Sequence, residues 1–194
     1  IIKYEWDWTD DGIYEYYETS SYHPDGVFDG NTPHAYNNSG TYTVRLRITT
    51  SEDLTDTNSC TVHVFAVENL IQNHYYTTIQ GAINDANDGD VIKVAEGNYY
   101  ETIDFNGVSC TLRSTDPNNW DVVAGTIINA NGSGNAVTFD SSEDWGTELR
   151  GFTIINGQRG IYCNGSSPTI SNGIIENNIG GNGGGIYNYN ASPI

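Results

Sequence analysis

Residues 160–168 read Gly-Ile-Tyr-Cys-Asn-Gly-Ser-Ser-Pro, and residues 185–193 read Gly-Ile-Tyr-Asn-Tyr-Asn-Ala-Ser-Pro. The two segments share their Gly-Ile-Tyr start and their Ser-Pro end, at an offset of 25 residues. A fixed period of this size is typical of stacked structural units. Because the units are short apolar runs separated by Gly, Asn, Ser and Pro, without a helical period, the repeat predicts a β-solenoid with one coil per repeat.

The repeat extends toward the N-terminus of these two segments. Apolar and Asn positions align at offsets of 21 or 24 residues in the pairs Leu149/Ile170, Ile154/Ile175, Asn156/Asn177 and Val137/Ile161. We therefore expect coils of about 21–25 residues, with loops absorbing the differences in length.

The charge of the chain restricts its class of partner. The 194 residues include 25 acidic and 7 basic side chains, for a formal net charge of -18. This balance excludes nucleic acid and anionic membranes, because both are bound through clustered Lys and Arg. The excess of acidic side chains is typical of a surface that keeps a protein soluble, and it is also suited to a specific site for a cation such as calcium. No apolar run approaches the roughly 20 residues of a membrane span, so no membrane insertion is expected in this segment.

The Asn sequons of this chain are consistent with an exported, surface-exposed protein. Met is absent, including at position 1, so an upstream region or leader is expected to be missing. Four N-x-S/T sequons are candidate glycosylation sites, at Asn37, Asn131, Asn164 and Asn190. Cys60, Cys110 and Cys163 have neither zinc-ligand spacing nor the density of a disulfide framework. Cys110 and Cys163 lie in apolar strand-like runs, so we expect them to be small buried side chains, and one disulfide stays open as an alternative.

Residues 1–68 alternate between apolar and polar side chains, with Asp-Gly and Ser-Gly turns between the runs. This period of two predicts half-buried antiparallel strands arranged as a small β-sandwich. The strand Tyr4–Trp8, followed by Asp10-Asp11-Gly12, resembles the signature of PKD domains, and Pro33–Tyr36 with Gly40–Leu46 resembles a later motif of that family. The resemblance implies a spacer or interaction domain. Two strands that precede the signature in the family are absent, so the module is expected to be N-terminally incomplete.

A linker at residues 69–76 and one helix are predicted next. The helical period is carried by the apolar side chains Ile79, Ala82, Ile83 and Ala86. Thr77 or Thr78 as the N-cap and Asp88-Gly89 as the stop limit the helix to about residues 78–88.

Residues 76–83 and 89–99, with the repeats that follow, resemble the right-handed parallel β-helix family of pectate-lyase-like architecture. The resemblance implies that the helix caps the first coil and that residues 77–194 form one β-helix domain. We therefore expect an all-β chain, a small antiparallel β-sandwich plus a short right-handed parallel β-helix with an N-terminal capping α-helix.

The pattern of charged residues does not favour catalysis. A polysaccharide lyase needs a carboxylate cluster for calcium and an Arg or Lys base. Arg150 and Arg159 are candidates for one groove, but the nearby acids indicate a solvated loop, at Asp140, Glu143, Asp144 and Glu148. A glycosidase needs two facing carboxylates, and Asp104, Asp140 and Glu176 are isolated in sequence. The chain is therefore not expected to be an enzyme.

Two binding sites are candidates from the sequence. Asp7, Asp10 and Asp11 are suited to calcium together with turn carbonyls, although Asx turns that fix the loop explain the same residues. Trp120 and Trp145 are suited to stacking on a carbohydrate, although such side chains also pack against the flank of a solenoid.

Three functions follow from these observations. The first is a non-catalytic structural or adhesive protein, secreted or on the cell surface, that binds other surface proteins or itself. Self-association head to tail into filaments is expected if β edges are open at both ends. The second is the N-terminal part of a secreted polysaccharide lyase or glycoside hydrolase. The third is a carbohydrate-binding module.

Overall fold

The computed structural model describes residues 1–23, 30, 32–34, 36, 40–64, 66–181 and 183–194. The chain divides into two units, Ile1–Val64 and Phe65–Ile194. The described residues are mostly β-strand, in antiparallel and parallel sheets, with two short helices. None of these helices has the length and apolar character that crossing a bilayer requires.

The first unit contains one antiparallel sheet in its described residues. Its strands are β1 (Lys3–Asp7), β2 (Tyr16–Thr19), β3 (Gly40–Thr49) and β4 (Thr55–Val64). They lie in the order β2-β1-β3-β4, each antiparallel to its neighbours. The alternation in the sequence therefore does mark antiparallel strands. The predicted second layer of a sandwich is not among the described strands and stays a prediction.

The second unit begins with an antiparallel hairpin and a helix. The hairpin consists of β5 (Val67–Asn69) and β6 (His74–Tyr76), and β5 also pairs antiparallel with β7 (Val91–Val94). Helix α1 (Ile79–Asn84) lies between β6 and β7 in the sequence. Its N-cap is Thr78, whose hydroxyl accepts a hydrogen bond from the backbone N–H of Gly81.

The strands from β8 onward run parallel to their sheet neighbours. They are β8 (Gly97–Tyr99), β9 (Ile103–Asp104), β10 (Thr111–Ser114), β11 (Thr126–Asn129), β12 (Asn135–Phe139), β13 (Glu148–Arg150), β14 (Thr153–Ile155), β15 (Arg159–Asn164), β16 (Thr169–Ser171), β17 (Ile174–Glu176) and β18 (Ile186–Tyr189). A second helix, α2 (Trp120–Gly125), precedes β11. The three sheets have the orders β16-β13-β10-β7-β5-β6, β17-β14-β11-β8 and β18-β15-β12-β9. The chain therefore visits the three sheets in turn.

Three in-register apolar columns form the core of this unit. The first column is Ile92, Leu112, Leu149 and Ile170. The second is Tyr99, Ile128, Ile154 and Ile175. The third is Ile103, Val137 and Ile161; Ile186 of β18 continues it in register but is exposed. The pairings place Ile154 beside Ile175 and Val137 beside Ile161, which confirms these offsets of the sequence repeat.

Asn and Gly supply the sharp corners between these strands. Asn131, Asn156 and Asn177 all have positive φ, and Asn156 and Asn177 follow paired residues of β14 and β17. Gly151 also has positive φ, and a Cβ at this position would lie 2.4 Å from Ser114 Oγ. A glycine is therefore required there for both conformation and space.

The boundaries of the elements differ from the sequence-based ones. The division falls after Val64 rather than after residue 68. The predicted linker, 69–76, instead contains the end of β5 and all of β6, because this hairpin pairs with β7 and extends its sheet. Helix α1 ends at Asn84, short of the Asp88-Gly89 stop, since Asp85 is its C-cap.

Candidate functional site

An acidic loop connects β1 to β2, and we use this name for residues 7–15. Carboxylate oxygens of Asp7, Asp11 and Glu15 lie within 4.8 Å of one another. Asp7 is fully buried at the end of β1, whereas Asp11 and Glu15 are exposed. Asp10, the remaining predicted ligand, has φ of 57° and forms an ion pair with Arg45 instead. Glu15 therefore takes the place that the sequence assigned to Asp10.

Hydrogen bonds within the loop already engage the carboxylates of Asp7 and Glu15. Asp7 accepts hydrogen bonds from the N–H of Thr9 at 3.2 Å and of Gly12 at 2.9 Å. Glu15 accepts from the N–H of Trp8 at 2.9 Å and from the hydroxyl of Thr9 at 3.2 Å. These hydrogen bonds engage both carboxylate oxygens of Asp7 and of Glu15 and close the loop. Carboxylate oxygens are also the type of ligand that calcium takes.

The charge of Asp7 is stabilised by the loop itself. Burial raises the pKa of this carboxyl, but backbone N–H groups, led by that of Gly12, outweigh the burial and hold the pKa below its usual value. Asp7 is therefore ionised at neutral pH as an acceptor of structural hydrogen bonds.

Aromatic side chains from residues 6–8 and from residues 34–42 contact one another in the first unit. The rings of Trp6 and Trp8 stack with centroids 5.0 Å apart, and Trp8 stacks on His34 at 4.5 Å. His34 meets Tyr36 edge-on at 4.6 Å, and Tyr36 stacks on Tyr42 at 4.0 Å. Two stretches that are distant in sequence therefore form one aromatic row.

A second candidate site lies on the third sheet of the second unit. Ile103, Val137 and Ile161 are buried, so the residues that follow them point outward because side chains alternate along a strand. We call these in-register outward residues the tyrosine face: Asp104, Thr138, Tyr162 and Tyr187. Its two tyrosine rings are 5.7 Å apart and inclined by 13°.

Arg159 extends the tyrosine face sideways. Its guanidinium carbon lies 4.6 Å from the ring centroid of Tyr187 and 5.4 Å from that of Tyr162, which are cation–π distances. Its Nη1 donates to Asn135 Oδ1 at 3.3 Å. A cation, two aromatic rings and an amide thus share one surface.

A groove of about 270 Å³ lies at the Asp104 end of this face. Its walls are Thr102, Ile103, Asp104, Ser133, Gly134, Asn135 and Thr138. Burial raises the pKa of Asp104, and the charges of Asp140 and Glu143 act in the same direction against the N–H of Asn106. The sequence presented Asp104 and Asp140 as isolated, and only the coiling of the chain brings them close enough to interact.

Glu143 was expected in a solvated loop, and this prediction was wrong. Its side chain is buried, and it accepts hydrogen bonds from the N–H of Gly107 and of Ser141, both at 2.9 Å, and from Ser166 Oγ at 2.7 Å. The carboxylate therefore joins three segments that are far apart in sequence. No local pattern around residue 143 signalled this role.

The two predicted carbohydrate-contact tryptophans are exposed. Trp120 is 59% exposed and Trp145 is 71% exposed. Trp120 begins helix α2, where the sequence indicated only a polar loop. Asn119 supplies the N-cap of this helix by accepting from the N–H of Asp121 at 3.0 Å. Neither tryptophan belongs to the tyrosine face.

The sequons and cysteines have different environments. Asn131 and Asn190 are exposed, Asn164 is half-buried, and Asn37 lies outside the described residues. Among the cysteines, Cys110 and Cys163 are buried as expected, but Cys60 is exposed on β4. Burial raises the pKa of Cys110 to about 12 and that of Cys163 to about 11, which makes both thiols unreactive.

Comparison with known proteins leaves the family of this chain open. No protein family, no curated protein and no solved structure matches it.

Proposed function

We propose that this chain is a non-catalytic structural or adhesive protein that acts outside the cell. In this proposal the first unit is a PKD-like β-sandwich domain, and the second is a short right-handed parallel β-helix capped by α1. The second unit serves as a stiff support that presents side chains on its outer faces. The observation that carries the proposal is the set of three apolar columns in register, because such stacking buries a continuous core.

The carboxylates of the second unit support the same proposal. Glu101 accepts hydrogen bonds from the N–H groups of Ile79 and Gln80 at 2.9 and 3.0 Å, and so caps the N-terminus of α1. Asp90 accepts from the side chains of Asn69 and Gln72 and is buried. These acids stabilise turns and helix ends, which is a structural use of residues that could otherwise serve as general acids or bases.

A cleavage assay tests the proposal directly. The purified chain is incubated with acidic and neutral polysaccharides, with and without calcium, and the release of unsaturated sugars and reducing ends is measured. We expect no product above the buffer control. Product formation that disappears in Asp104→Asn would replace the structural role with a catalytic one.

Carbohydrate binding is the second candidate function, and the tyrosine face favours it. Sugars present apolar C–H faces and hydroxyl rims, which suit tyrosine rings beside carboxylate, amide and hydroxyl groups. We expect retention on an insoluble polysaccharide to fall at least tenfold in Tyr187→Ala. Trp120→Ala is the matched control, since it removes another exposed aromatic side chain. Equal losses in the two variants, or no retention of the wild type, would contradict this assignment.

A further inference from the structure

Strand β4 of the first unit has a free edge on the side away from β3. β4 lies at the margin of the sheet order β2-β1-β3-β4 and pairs over its whole length with β3. Among the described residues, no strand pairs with its other side. The side chains of Thr55–Thr61 are exposed, so both faces of this part of the strand meet solvent.

The ladder shows which backbone groups point toward the free edge. The N–H of Thr50 donates to the carbonyl of Leu54 at 2.9 Å, next to the Thr49–Thr55 pair. Hydrogen-bonded and non-hydrogen-bonded pairs alternate along an antiparallel ladder. The Thr49–Thr55 pair, next to the bonded Thr50 and Leu54, is therefore non-hydrogen-bonded, and so are the alternate pairs that contain Thr57, Ser59 and Thr61. The backbone N–H and carbonyl groups of these three residues point away from β3.

Two side chains cover this edge. Asp56 Oδ1 accepts from the N–H of Thr57 at 2.9 Å, and Asn58 Oδ1 accepts from the N–H of Ser59 at 2.9 Å. Both bonds are exposed and local, so an incoming strand can replace them with backbone hydrogen bonds. These two side chains satisfy the outward N–H groups of Thr57 and Ser59 but leave room for another strand to pair there.

The composition of the strand indicates what pairs with it. Residues 57–62 contain no Lys, Arg, Asp, Glu, Pro or Gly, the residues that usually protect an edge. The chain as a whole carries 25 acidic and 7 basic residues. Two copies of such an acidic chain repel each other least where each presents an uncharged edge.

We propose that β4 pairs antiparallel with β4 of a second copy and forms a symmetric dimer. The two sheets become one continuous sheet, with the backbone groups of Thr57, Ser59 and Thr61 in the new ladder. As the second strand binds, the side chains of Asp56 and Asn58 give up their hydrogen bonds to the N–H groups of Thr57 and Ser59. This dimer concerns the first unit alone, so it does not depend on the proposed role of the second unit.

The test is the mass of the full chain in solution as a function of concentration, measured by sedimentation under reducing conditions. We expect the wild type to approach twice the monomer mass. Ser59→Pro removes an N–H that points outward and leaves the β3 ladder intact, so its dimer affinity should fall at least tenfold. Ser59→Ala is the matched control, because it keeps the N–H and should dimerise like the wild type.

Asn58→Ala should change the dimer affinity in the opposite direction. It uncovers the N–H of Ser59, so dimerisation should strengthen severalfold if the edge is the interface. A nitroxide on Cys60, the exposed thiol, gives an independent readout, since antiparallel pairing of β4 places the two labels close together. A short distance between labels is expected in the wild type and should be lost in Ser59→Pro.

Three outcomes overturn the proposal. They are a wild type that stays monomeric up to its solubility limit, a dimer that Ser59→Pro leaves intact, and a dimer whose Cys60 labels are far apart. Circular dichroism shows whether Ser59→Pro is folded. If it is not, Thr57→Lys combined with Thr61→Lys replaces it, because charges across the symmetric pair repel. A dimer unaffected by that double variant also overturns the proposal.

Discussion

The two units of this chain are stabilised by different means. Of the buried hydrophobic side chains in the described residues, Val44 alone belongs to the first unit, and all others belong to the second. The first unit instead buries the acids Glu5, Asp7 and Glu18. A sheet with few buried apolar side chains depends on its ladder, ion pairs and hydrogen bonds, whereas the second unit depends on burial of apolar surface. Hydrophobic content averaged over the chain hides this difference.

Removing an aromatic ring from the second unit should give the largest effect. Phe105 and Phe139 are fully buried and stack with centroids 4.5 Å apart. Phe105→Ala leaves a cavity beside Phe139 and should lower the free energy of unfolding of this unit by about 3–5 kcal/mol. Hydrogen exchange measured segment by segment is suitable, because it reports each unit separately.

Tyr100→Ala is the control for this experiment, since Tyr100 is 67% exposed. We expect exchange in β3 and β4 to be unchanged in Phe105→Ala. Equal protection of the second unit in Phe105→Ala and Tyr100→Ala would show that the stability of this unit does not depend on its apolar core.

An electrostatic change should have its main effect in the first unit. Glu5 accepts hydrogen bonds from Arg47 Nε at 2.8 Å and Nη2 at 2.9 Å, and Lys3 Nζ lies 2.6 Å from it. Glu5→Gln removes the charge that both cations face in a buried position, so the first unit should lose about 1–3 kcal/mol. Exchange in β1 and β3 measures the loss, and Glu52→Gln, at an exposed position, is the control.

The same carboxylate predicts a pH dependence. Hydrogen bonds from Arg47, opposed by burial and aided by Lys3, lower the pKa of Glu5 from its ordinary value of 4.5. A lowered pKa in the folded state means that the ionised form stabilises the fold at pH values above about 4.5. That stability is lost as the pH falls through the lowered value. The protection factors of the β1 amides, which correct for the intrinsic pH dependence of exchange, should therefore fall on acidification in the wild type and much less in Glu5→Gln; an equal fall in both would assign the effect to other groups.

A smaller effect should come from the contact between α1 and β9 in the second unit. The Gln80 side chain accepts from the N–H of Asp104 at 2.7 Å and donates to the carbonyl of the same residue at 2.9 Å. It thus pairs with β9 as a neighbouring strand would. Gln80→Met keeps the length of the side chain but removes both bonds, which should cost about 1–2 kcal/mol in the second unit.

Asn84→Ala is the control for Gln80→Met. Asn84 accepts from Gln80 Nε2 at 2.8 Å on the exposed surface of α1. Its removal should change the thermal midpoint of the second unit little. A Gln80 variant as stable as the wild type would mean that the apolar side chains of α1 alone hold this helix in place.

Local patterns predicted the parts of the fold that depend on neighbouring residues. Alternation predicted the antiparallel strands β1, β3 and β4, because side chains on a strand alternate between its faces. The repeat offset predicted which strands pair, since identical corners return the chain to the same position in each coil. Thr78 was one of two candidate N-caps, and its hydroxyl closes the first turn of α1.

The same patterns failed where a short segment is held by distant residues. Helix α2 has six residues and one buried side chain, Val123, so its helical period is too short to detect. The sequence did not show that Glu15, and not Asp10, lies beside Asp7 and Asp11. Arg45 on β3 forms an ion pair with Asp10, and this distant contact decides which carboxylate joins the cluster.

The sequence by itself determined that this chain is rich in β-structure, that its second part repeats, and where its strands recur, because these depend on periodicity and on turn residues. Only the tertiary structure decided which polar side chains act together. Glu143 meets Gly107 and Ser166, and Tyr162 meets Tyr187 and Arg159, because successive turns of the chain place residues tens of positions apart side by side. Hydrogen bonds and ring contacts depend on distances of a few ångströms, and spacing along a sequence does not contain those distances.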